Sequence, residues 1–313
     1  MISINEAKRK LPIDFIENIY ELYDPLKVDQ ILQGMMNPRN TTIRVNTIKY
    51  NIQDLIRYFK EKNIKFERVL WYRDALIIKN ATEKELQKLE IYEKGYIYLQ
   101  SLSSMVPPLV LNPKKGEKVL DLTAAPGSKT TQMAALMENE GYILANELDK
   151  IRSERLQYNV KSQGAEIVEV INGRGEKIGN SYTEYFDKVL LDTPCSGEGR
   201  FLLGKPMTYK DWSLKKVNQL AKIQKKLFES AYNATKKNGI MVYSTCTINK
   251  EENEYILDWA INTFNIKLLD INLDIKEAIK GDNTGLNNAI DKAIKILPSK
   301  NMEGFFVAKI MKN

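Results

Sequence analysis

The sequence predicts an α/β fold, namely a Rossmann-like, doubly wound and mostly parallel sheet preceded by a small α+β region. From Gly116 onward, short apolar strands alternate with helical stretches, which is typical of a parallel sheet covered by helices on both faces. The first hundred of the 313 residues mix helices and strands without this alternation. We therefore expect one domain over residues 1–95 and a second over residues 96–313.

In the N-terminal region, apolar residues at helical spacing predict a helix over residues 14–32. A strand follows at residues 42–47 and a second helix at residues 51–62. Residues 66–78 are rich in β-branched and aromatic side chains, which predicts one or two further strands.

In the C-terminal region the predicted strands occupy residues 118–122, 142–146, 167–171, 188–191 and 240–244. Helices are predicted at residues 129–137, 150–163 and 215–236. Ligands of such sheets bind beyond the carboxyl ends of the central strands. The residues that directly follow each strand are therefore the candidates for a functional site.

The composition excludes several kinds of chemistry. The chain contains no histidine, so no imidazole base and no histidine-ligated metal exist. Two cysteines are too few for a zinc site, and we expect no metal. Because the sequence contains neither a signal peptide nor a long apolar run, we expect a cytoplasmic protein that does not enter a membrane. No dimer seam is evident, which favours a monomer.

Positive charge is concentrated in one segment. The net charge is +7, and residues 200–226 carry eight Lys and Arg against one Asp, which accounts for all of it. Tyr209 and Trp212 lie in this segment, so it combines charges for phosphates with rings that stack on bases. The alternative is a solvated, lysine-rich helix face.

The loops after the first two strands suit a nucleotide-like ligand. Residues 121–130 (DLTAAPGSKT) contain small residues and a glycine, which let a ligand approach the backbone and the free N–H groups of the next helix. Glu147 follows the second strand, where a carboxylate accepts hydrogen bonds from ribose hydroxyls. Asp149 is better explained as the N-cap of the next helix.

Both cysteines follow core strands. Cys195 lies in residues 192–199 (DTPCSGEG) after the fourth strand, and Cys246 lies in residues 243–247 (YSTCT) after the fifth. Because these strands are neighbours in a doubly wound sheet, we expect both thiols at the same edge. The alternative is that both are small buried apolar residues.

These segments resemble the Sun/Fmu family of S-adenosylmethionine-dependent RNA cytosine-5 methyltransferases, which includes RsmB and RsmF. The resemblance extends from about residue 11 to residue 310. Further matches are residues 44–47 (RVNT), Gln100, residues 103–105 (SSM), Gln224, residues 251–254 (EENE), Pro298 and residues 304–306 (GFF).

The resemblance implies a class I methyltransferase domain with an N-terminal RNA-positioning domain, and ribosomal RNA is slightly favoured over transfer RNA as substrate. In the family the cysteine that corresponds to Cys246 attacks C6 of cytosine, and the counterpart of Cys195 helps to remove the C5 proton. Asp192 would hydrogen-bond the base and support charge at N3. Lys129, or a helix N-terminus, would lower the pKa of the nucleophile.

The resemblance also implies S-adenosylmethionine as cofactor. Three positions depart from the family pattern: Thr123 replaces a cysteine, Ser128 replaces a glycine, and Arg174 replaces the aspartate that holds the adenine amino group. Arginine has no acceptor, so we expect weaker cofactor affinity unless Asn172 or a backbone carbonyl substitutes. The implied cofactor-binding residues are Thr123, Ala124, Ala125, Pro126, Gly127, Ser128, Lys129, Glu147, Arg174 and Asp192.

Two other functions remain open from the sequence. A DNA cytosine-5 methyltransferase uses the cysteine of a Pro-Cys motif as its nucleophile, and the presence of Cys246 argues against this function. A non-catalytic RNA-binding or ribosome-assembly factor on a degenerate methyltransferase fold is supported by Arg174 and Ser128. The intact cysteine pair argues against that alternative.

Overall fold

The computed structural model describes residues 4–313. The described chain begins with three helices, α1 (Ile4–Lys10), α2 (Ile13–Leu22) and α3 (Pro25–Met36). The prediction of one helix over residues 14–32 was wrong. Pro25 occupies the first turn of α3, and Asp24 caps that helix by accepting a hydrogen bond from the backbone N–H of Lys27. A proline at this point cannot continue the preceding helix, so the chain turns and starts a new one.

A four-stranded antiparallel sheet follows, in the order β2-β3-β1-β4. Its elements are β1 (Thr42–Val45), α4 (Ile52–Glu61), β2 (Phe66–Arg68), β3 (Ala75–Ile78), α5 (Glu83–Leu86), α6 (Glu90–Glu93) and β4 (Ile97–Leu99). Strand β4 pairs with β1, with Arg44 opposite Tyr98. The N-terminal sheet therefore extends past residue 95, where the sequence pattern placed the end of this region.

The C-terminal part is built on a nine-stranded sheet in the order β11-β12-β13-β9-β8-β5-β6-β7, with β10 paired to β13. Strands β7, β6, β5, β8 and β9 run parallel, and β13 returns antiparallel to β9. This confirms the predicted Rossmann-like, mostly parallel sheet. The elements are α7 (Leu102–Leu111), β5 (Lys118–Asp121), α8 (Ser128–Leu136), β6 (Tyr142–Glu147), α9 (Lys150–Gln163), β7 (Val168–Asn172), α10 (Gly175–Ser181), β8 (Phe186–Asp192), α11 (Leu214–Ala234), β9 (Thr235–Thr245), α12 (Glu254–Thr263), β10 (Ile266–Leu269), β11 (Ala278–Lys280), β12 (Ile294–Ile296) and β13 (Phe305–Lys312).

The order of the strands positions the site. The chain passes from β5 to β6 and β7 on one side, and then returns to β8 and β9 on the other. The loops after β5 and β8 therefore diverge and leave a crevice at the carboxyl edge of the sheet. The candidate residues all lie at or shortly after the carboxyl ends of β5, β6, β8 and β9, namely residues 123–129, Glu147, Asp192, Cys195 and Cys246.

The segment between β8 and α11 packs against the N-terminal helices. The ring of Phe15 lies 5.0 Å from that of Phe201 and 5.6 Å from that of Trp212. Tyr209 and Trp212 are each only 7% exposed. The hypothesis that these two rings stack on bases was therefore wrong, because both are part of an apolar core shared with the N-terminal helices.

No helix within residues 4–313 combines the length and the apolar character needed to cross a membrane. The same residues contain no group of three or more acidic or cysteine side chains arranged to hold a metal ion.

Candidate active site

The two cysteines meet at the carboxyl edge of the sheet. Strands β8 and β9 are paired in parallel, with Asp192 opposite Ser244, so the turns that follow them lie side by side. The Sγ atoms of Cys195 and Cys246 are 3.0 Å apart, and the backbone N–H of Cys246 donates to the Cys195 sulfur at 3.2 Å. Both thiols are free and partly exposed. The expectation that they lie at one edge is confirmed.

The pKa values of the two thiols are shifted in opposite directions. The hydrogen bond from the Cys195 thiol, together with the positive charge of Arg200, lowers the pKa of Cys246. The same hydrogen bond and burial raise the pKa of Cys195 well above its ordinary value. Cys246 is therefore the thiol of the pair that ionises more readily. A thiolate is the nucleophilic form of cysteine.

Asp192 is held by two partners. Its Oδ2 lies 2.6 Å from Nζ of Lys129, and its Oδ1 accepts a hydrogen bond from the Ser244 hydroxyl at 2.7 Å. The Lys129 side chain is 11% exposed and that of Asp192 is 24% exposed. The ammonium group that was expected to lower the cysteine pKa is thus paired with Asp192, and the positive charge that lowers the pKa of Cys246 belongs to Arg200.

A buried hydrogen-bond network supports the turn that carries Cys195 (the cysteine turn, residues 192–200). Glu252 accepts hydrogen bonds from the backbone N–H of Ser196 and the side-chain amide of Gln224, each at 2.9 Å. Gln224 also donates to the carbonyl of Pro194 at 2.9 Å. The Tyr243 hydroxyl donates to the carbonyl of Glu252 at 2.6 Å. The residues on both sides of Cys195 are thereby held in place. Sequence reasoning found Gln224 and Glu252 only as motif matches and assigned them no role.

Another buried carboxyl, that of Glu198, lies within the cysteine turn itself. Glu198 is 1% exposed and accepts hydrogen bonds from the indole N–H of Trp212 at 3.1 Å and the side-chain amide of Asn249 at 2.9 Å. Burial raises the pKa of Glu198 to about 7. Neither Glu198 nor Asn249 was expected to have a role, since no sequence pattern shows that the segment before α11 and the turn after β9 converge on this carboxyl.

The loop after β5 forms a cradle of small residues. Ala124 and Ala125 are nearly buried, and Gly127 has a φ of +102°, which favours glycine over residues with a side chain. A Cβ at Gly127 would also lie 2.9 Å from the side chain of Leu156. Helix α8 begins at Ser128, directly after this glycine, so its free backbone N–H groups face the crevice.

Loop residues are tied to their surroundings by polar contacts. Thr123 donates through its hydroxyl to the carbonyl of Asp192 at 2.9 Å. Arg152 donates to the carbonyl of Ala125 at 2.9 Å, and the Asn159 amide donates to that of Pro126 at 2.7 Å. The loop is therefore fixed to both β8 and α9.

Glu147 ends β6 beside this loop and is 4% exposed. Its Oε1 accepts a hydrogen bond from the backbone N–H of Asp149 at 3.0 Å. Asp149 in turn caps α9 by accepting from the backbone N–H of Arg152, as expected. The carboxylate of Glu147 is thus held at the strand end with its second oxygen 3.5 Å from the Arg152 guanidinium.

Arg174 is exposed, and in the described part of the chain its side chain has no close partner in the crevice. It precedes α10, its side chain is 66% exposed, and its nearest carboxylate is Glu176 at 3.9 Å. The Asn172 amide instead reaches back and donates to the carbonyls of Glu147 and Leu148 at 2.7 and 3.0 Å. The structure therefore brings Asn172, and not the Arg174 side chain, next to the end of β6.

Comparison with known proteins agrees with this architecture. Residues 108–311 match the sequence model of the 16S rRNA methyltransferase RsmB/F family, and residues 11–102 match the N-terminal domain of the 16S rRNA methyltransferase RsmF. The chain belongs to the RsmB/RsmF methyltransferase family. This confirms the resemblance and the class I methyltransferase fold.

Individual relatives within the RsmB/RsmF family are of two lengths. The chain is 37% identical to the tRNA (cytosine(49)-C(5))-methyltransferase of Pyrococcus abyssi, and the match covers 98% of each protein. It is 36% identical to the ribosomal RNA small subunit methyltransferase F of Shewanella oneidensis over 96% of its own length, but it spans only 63% of that relative.

Solved structures share the family fold. A methyltransferase homolog from Pyrococcus horikoshii superimposes with a TM-score of 0.80 at 31% identity, covering 97% of this chain and all of that one. NSun6 from the same organism, solved with SFG, superimposes with a TM-score of 0.84 at 24% identity, covering 97% of this chain and 99% of that one.

Proposed function

We propose that this protein transfers a methyl group from S-adenosylmethionine to C5 of a cytosine in ribosomal or transfer RNA, through a covalent bond between Cys246 and C6. The observation that carries the proposal is the pair of thiols 3.0 Å apart beside the ion pair of Asp192 and Lys129. The relatives named above for tRNA and rRNA methylation support both substrate classes.

Cys246 begins the reaction. C5 of cytosine is too weakly nucleophilic to accept a methyl group directly, so the Cys246 thiolate first adds to C6. The new S–C bond makes C5 enamine-like and therefore nucleophilic. When bound, S-adenosylmethionine supplies the methyl group as the electrophile. The target base must be unpaired or flipped out of a helix to reach this crevice.

Cys195 ends the reaction. Once Cys246 is bonded to C6, its negative charge is gone, and with it one cause of the high Cys195 pKa. The Cys195 thiol then releases its proton to solvent and, as a thiolate, takes the C5 proton. The electron pair of the C5–H bond restores the C5–C6 double bond and expels Cys246 as thiolate. The starting state of the pair is thereby regenerated, with one proton released overall.

Asp192 is the group that holds the base. Its carboxylate is already bound by Lys129 and Ser244, so its orientation is set before the substrate arrives. From this position it would accept a hydrogen bond from the amino group at C4 and support the charge that develops at N3. Lys129 therefore acts through Asp192.

The crevice residues fit S-adenosylmethionine. The cradle has no bulky side chain, and the N-terminus of α8 faces it. Glu147 would bind the ribose hydroxyls with its carboxylate. The Oδ1 of Asn172 would accept a hydrogen bond from the adenine amino group, because the amide nitrogen of Asn172 already donates to two carbonyls. Arg174 has no acceptor and is exposed, so we expect lower cofactor affinity than an aspartate would give. The cofactor residues proposed are Thr123, Ala124, Ala125, Pro126, Gly127, Ser128, Glu147 and Asn172.

The N-terminal region would position the RNA over this crevice. It is joined to the cofactor loop through Arg44, which is fully buried and donates to the Thr131 hydroxyl at 3.0 Å. Thr131 donates in turn to the carbonyl of Gly127 at 2.9 Å. RNA bound by the N-terminal sheet would therefore lie at a defined place relative to the loop.

The test uses purified protein, tritiated S-adenosylmethionine and total RNA that lacks 5-methylcytidine. We expect wild-type protein to label the RNA and Cys246→Ala to give no label. Cys195→Ala should accumulate a protein–RNA adduct that survives a denaturing gel, because the C5 proton is no longer removed efficiently.

Three results would contradict the proposal. Label in RNA with Cys246→Ala would exclude Cys246 as the nucleophile. A wild-type protein that neither labels RNA nor binds the cofactor in calorimetry would favour the non-catalytic assembly factor. Equal labelling of a single-stranded DNA oligonucleotide would instead support the DNA methyltransferase.

A further inference from the structure

One cation beside the cysteine pair has no role in the proposed mechanism. Arg200 lies at the end of the 3₁₀ turn Glu198–Arg200, five residues after Cys195. The backbone N–H of Gly199 donates to the carbonyl of Cys246 at 3.0 Å, and that of Arg200 donates to the carbonyl of Gly197 at 3.0 Å. These two bonds fold the turn back onto the residues that carry the thiols.

The Arg200 side chain lies against the backbone of Gly197, two residues from Cys195. A Cβ at Gly197 would be 2.8 Å from Nη2 of Arg200 and 3.3 Å from its Nε. Gly197 also has a φ of +78°, in the region that favours glycine. Glycine at this position therefore both permits the turn and leaves space for the guanidinium beside the backbone that follows Cys195.

The guanidinium is not committed to another partner. Within residues 4–313, the Arg200 side chain forms no ion pair and no hydrogen bond. The other cations near the crevice are already engaged. Lys129 is paired with Asp192, and Arg39 donates to the carbonyls of Met302 and Gly199 at 3.2 and 2.9 Å. Arg200 is thus the cation that remains available to a negative charge on the cysteine pair.

We propose that Arg200 is a positioning residue that keeps Cys246 in its thiolate form before RNA binds. The inference deepens the proposed function, because it explains how the nucleophile is prepared in a chain without histidine. It requires no contact between Arg200 and the RNA or the cofactor.

Three further titratable groups face Cys246. The Cys195 thiol stabilises the thiolate by its hydrogen bond, which has the largest effect on the Cys246 pKa, and the charge of Arg200 lowers that pKa further. The negative charges of Asp192 and Glu303 act in the opposite direction. Lys129 neutralises Asp192. Arg200 therefore offsets the remaining negative field at the thiolate.

The experiment measures alkylation of Cys246 by iodoacetamide as a function of pH, without RNA or cofactor, with the modified cysteine identified by peptide mass spectrometry. Iodoacetamide reacts with the thiolate, so the rate reports its fraction. In Arg200→Gln we expect the midpoint of the profile to move to higher pH and the rate near neutral pH to fall about tenfold, which corresponds to one pKa unit. Arg200→Lys should recover most of the rate.

Lys205→Gln is the matched control, because it removes an exposed cation of the same segment and should leave the profile unchanged. A profile of Arg200→Gln equal to that of wild type, with unchanged thermal stability, would overturn the inference. So would an equal shift in Lys205→Gln, which would indicate a general charge effect. Because no methyl transfer is measured, the result is independent of whether the protein labels RNA.

Discussion

The cysteine turn (residues 192–200) and the lysine face of α11 (Lys215, Lys216, Lys222 and Lys226) lie in one stretch of chain but hold their polar groups in opposite ways. In the cysteine turn, Asp192 and Glu198 each have two defined hydrogen-bond or ion-pair partners and are largely buried. The four lysines are exposed, and among the described residues their ammonium groups form no ion pair.

The difference shows that burial determines whether a charged group can take part in the reaction or only attracts a partner. In a buried, hydrogen-bonded turn the low dielectric shifts pKa values and fixes orientation, as the pKa of about 7 at Glu198 indicates. Exposed lysines are screened by water and salt, so they attract an anionic partner without orienting it. We therefore expect substitutions in the turn to change rate and stability, and substitutions on the lysine face to change RNA affinity.

The largest effect is expected from Asp192→Asn. The amide would lose the negative charge that binds Lys129 and that strengthens the hydrogen bond to the amino group of the base. We expect kcat to fall about 10²- to 10³-fold, measured as methyl transfer to RNA at saturating cofactor. Asp211→Asn, an exposed acid in the lysine-rich segment, is the control and should change kcat less than twofold by the same reasoning. Equal losses in both variants would remove the distinction between the two regions.

The next effect concerns Trp212, whose ring is buried against Phe15. Trp212→Ala should lower the free energy of unfolding by about 3–5 kcal/mol, because it leaves a cavity and removes a donor from Glu198. Urea unfolding measures this, and Trp212→Phe should recover much of the loss. Weaker RNA binding in Trp212→Ala with unchanged stability would instead show that the ring contacts bases.

A pH dependence should follow from Glu198. Its pKa is about 7 in the folded protein against 4.5 when unperturbed. A raised carboxyl pKa means that the folded state binds the proton more tightly, so its contribution to stability is full below pH 4.5 and is lost as pH rises through about 7. Glu198→Gln keeps the two hydrogen bonds and should flatten this decline by up to about 3 kcal/mol.

Thermal unfolding between pH 4.5 and pH 8 measures that change. Glu251→Gln removes a nearby exposed carboxyl and should leave the decline as it is in wild type. Asp121, whose pKa burial also raises to about 7, contributes in the same direction and should remain in both variants. A decline of wild-type size in Glu198→Gln would show that Glu198 is not its source.

The smallest effect is expected on the lysine face. Replacing all four lysines by glutamine should weaken RNA binding severalfold while kcat stays unchanged. If each lysine neutralises one phosphate, the slope of log K against log salt concentration should change by about 0.7 per lysine for single-stranded RNA. Filter binding at several salt concentrations measures both quantities. An unchanged slope would show that this face is solvated and does not contact RNA.

Local patterns in the sequence were sufficient for the parallel sheet of the C-terminal part and for the meeting of the two cysteines. In the C-terminal part strands alternate with helices, and each element carries the apolar residues that it needs in order to bury one side. Helix α9 (Lys150–Gln163) has the predicted bounds. Cys195 and Cys246 were also predicted to meet, because the carboxyl ends of adjacent parallel strands lie at one edge. These inferences depend on neighbours along the chain and on sheet topology.

Contacts between distant segments were decided only by the tertiary structure. The sequence determined that Lys129, Asp192, Trp212 and Arg200 exist at their positions. It did not determine that Lys129 pairs with Asp192 while the charge of Arg200 lowers the pKa of Cys246. Nor did it determine that the buried Trp212 donates a hydrogen bond to Glu198. The physical reason is that a charge or ring takes its role from its partners and its burial, and both arise only when α11, the N-terminal helices and the two strand ends pack together.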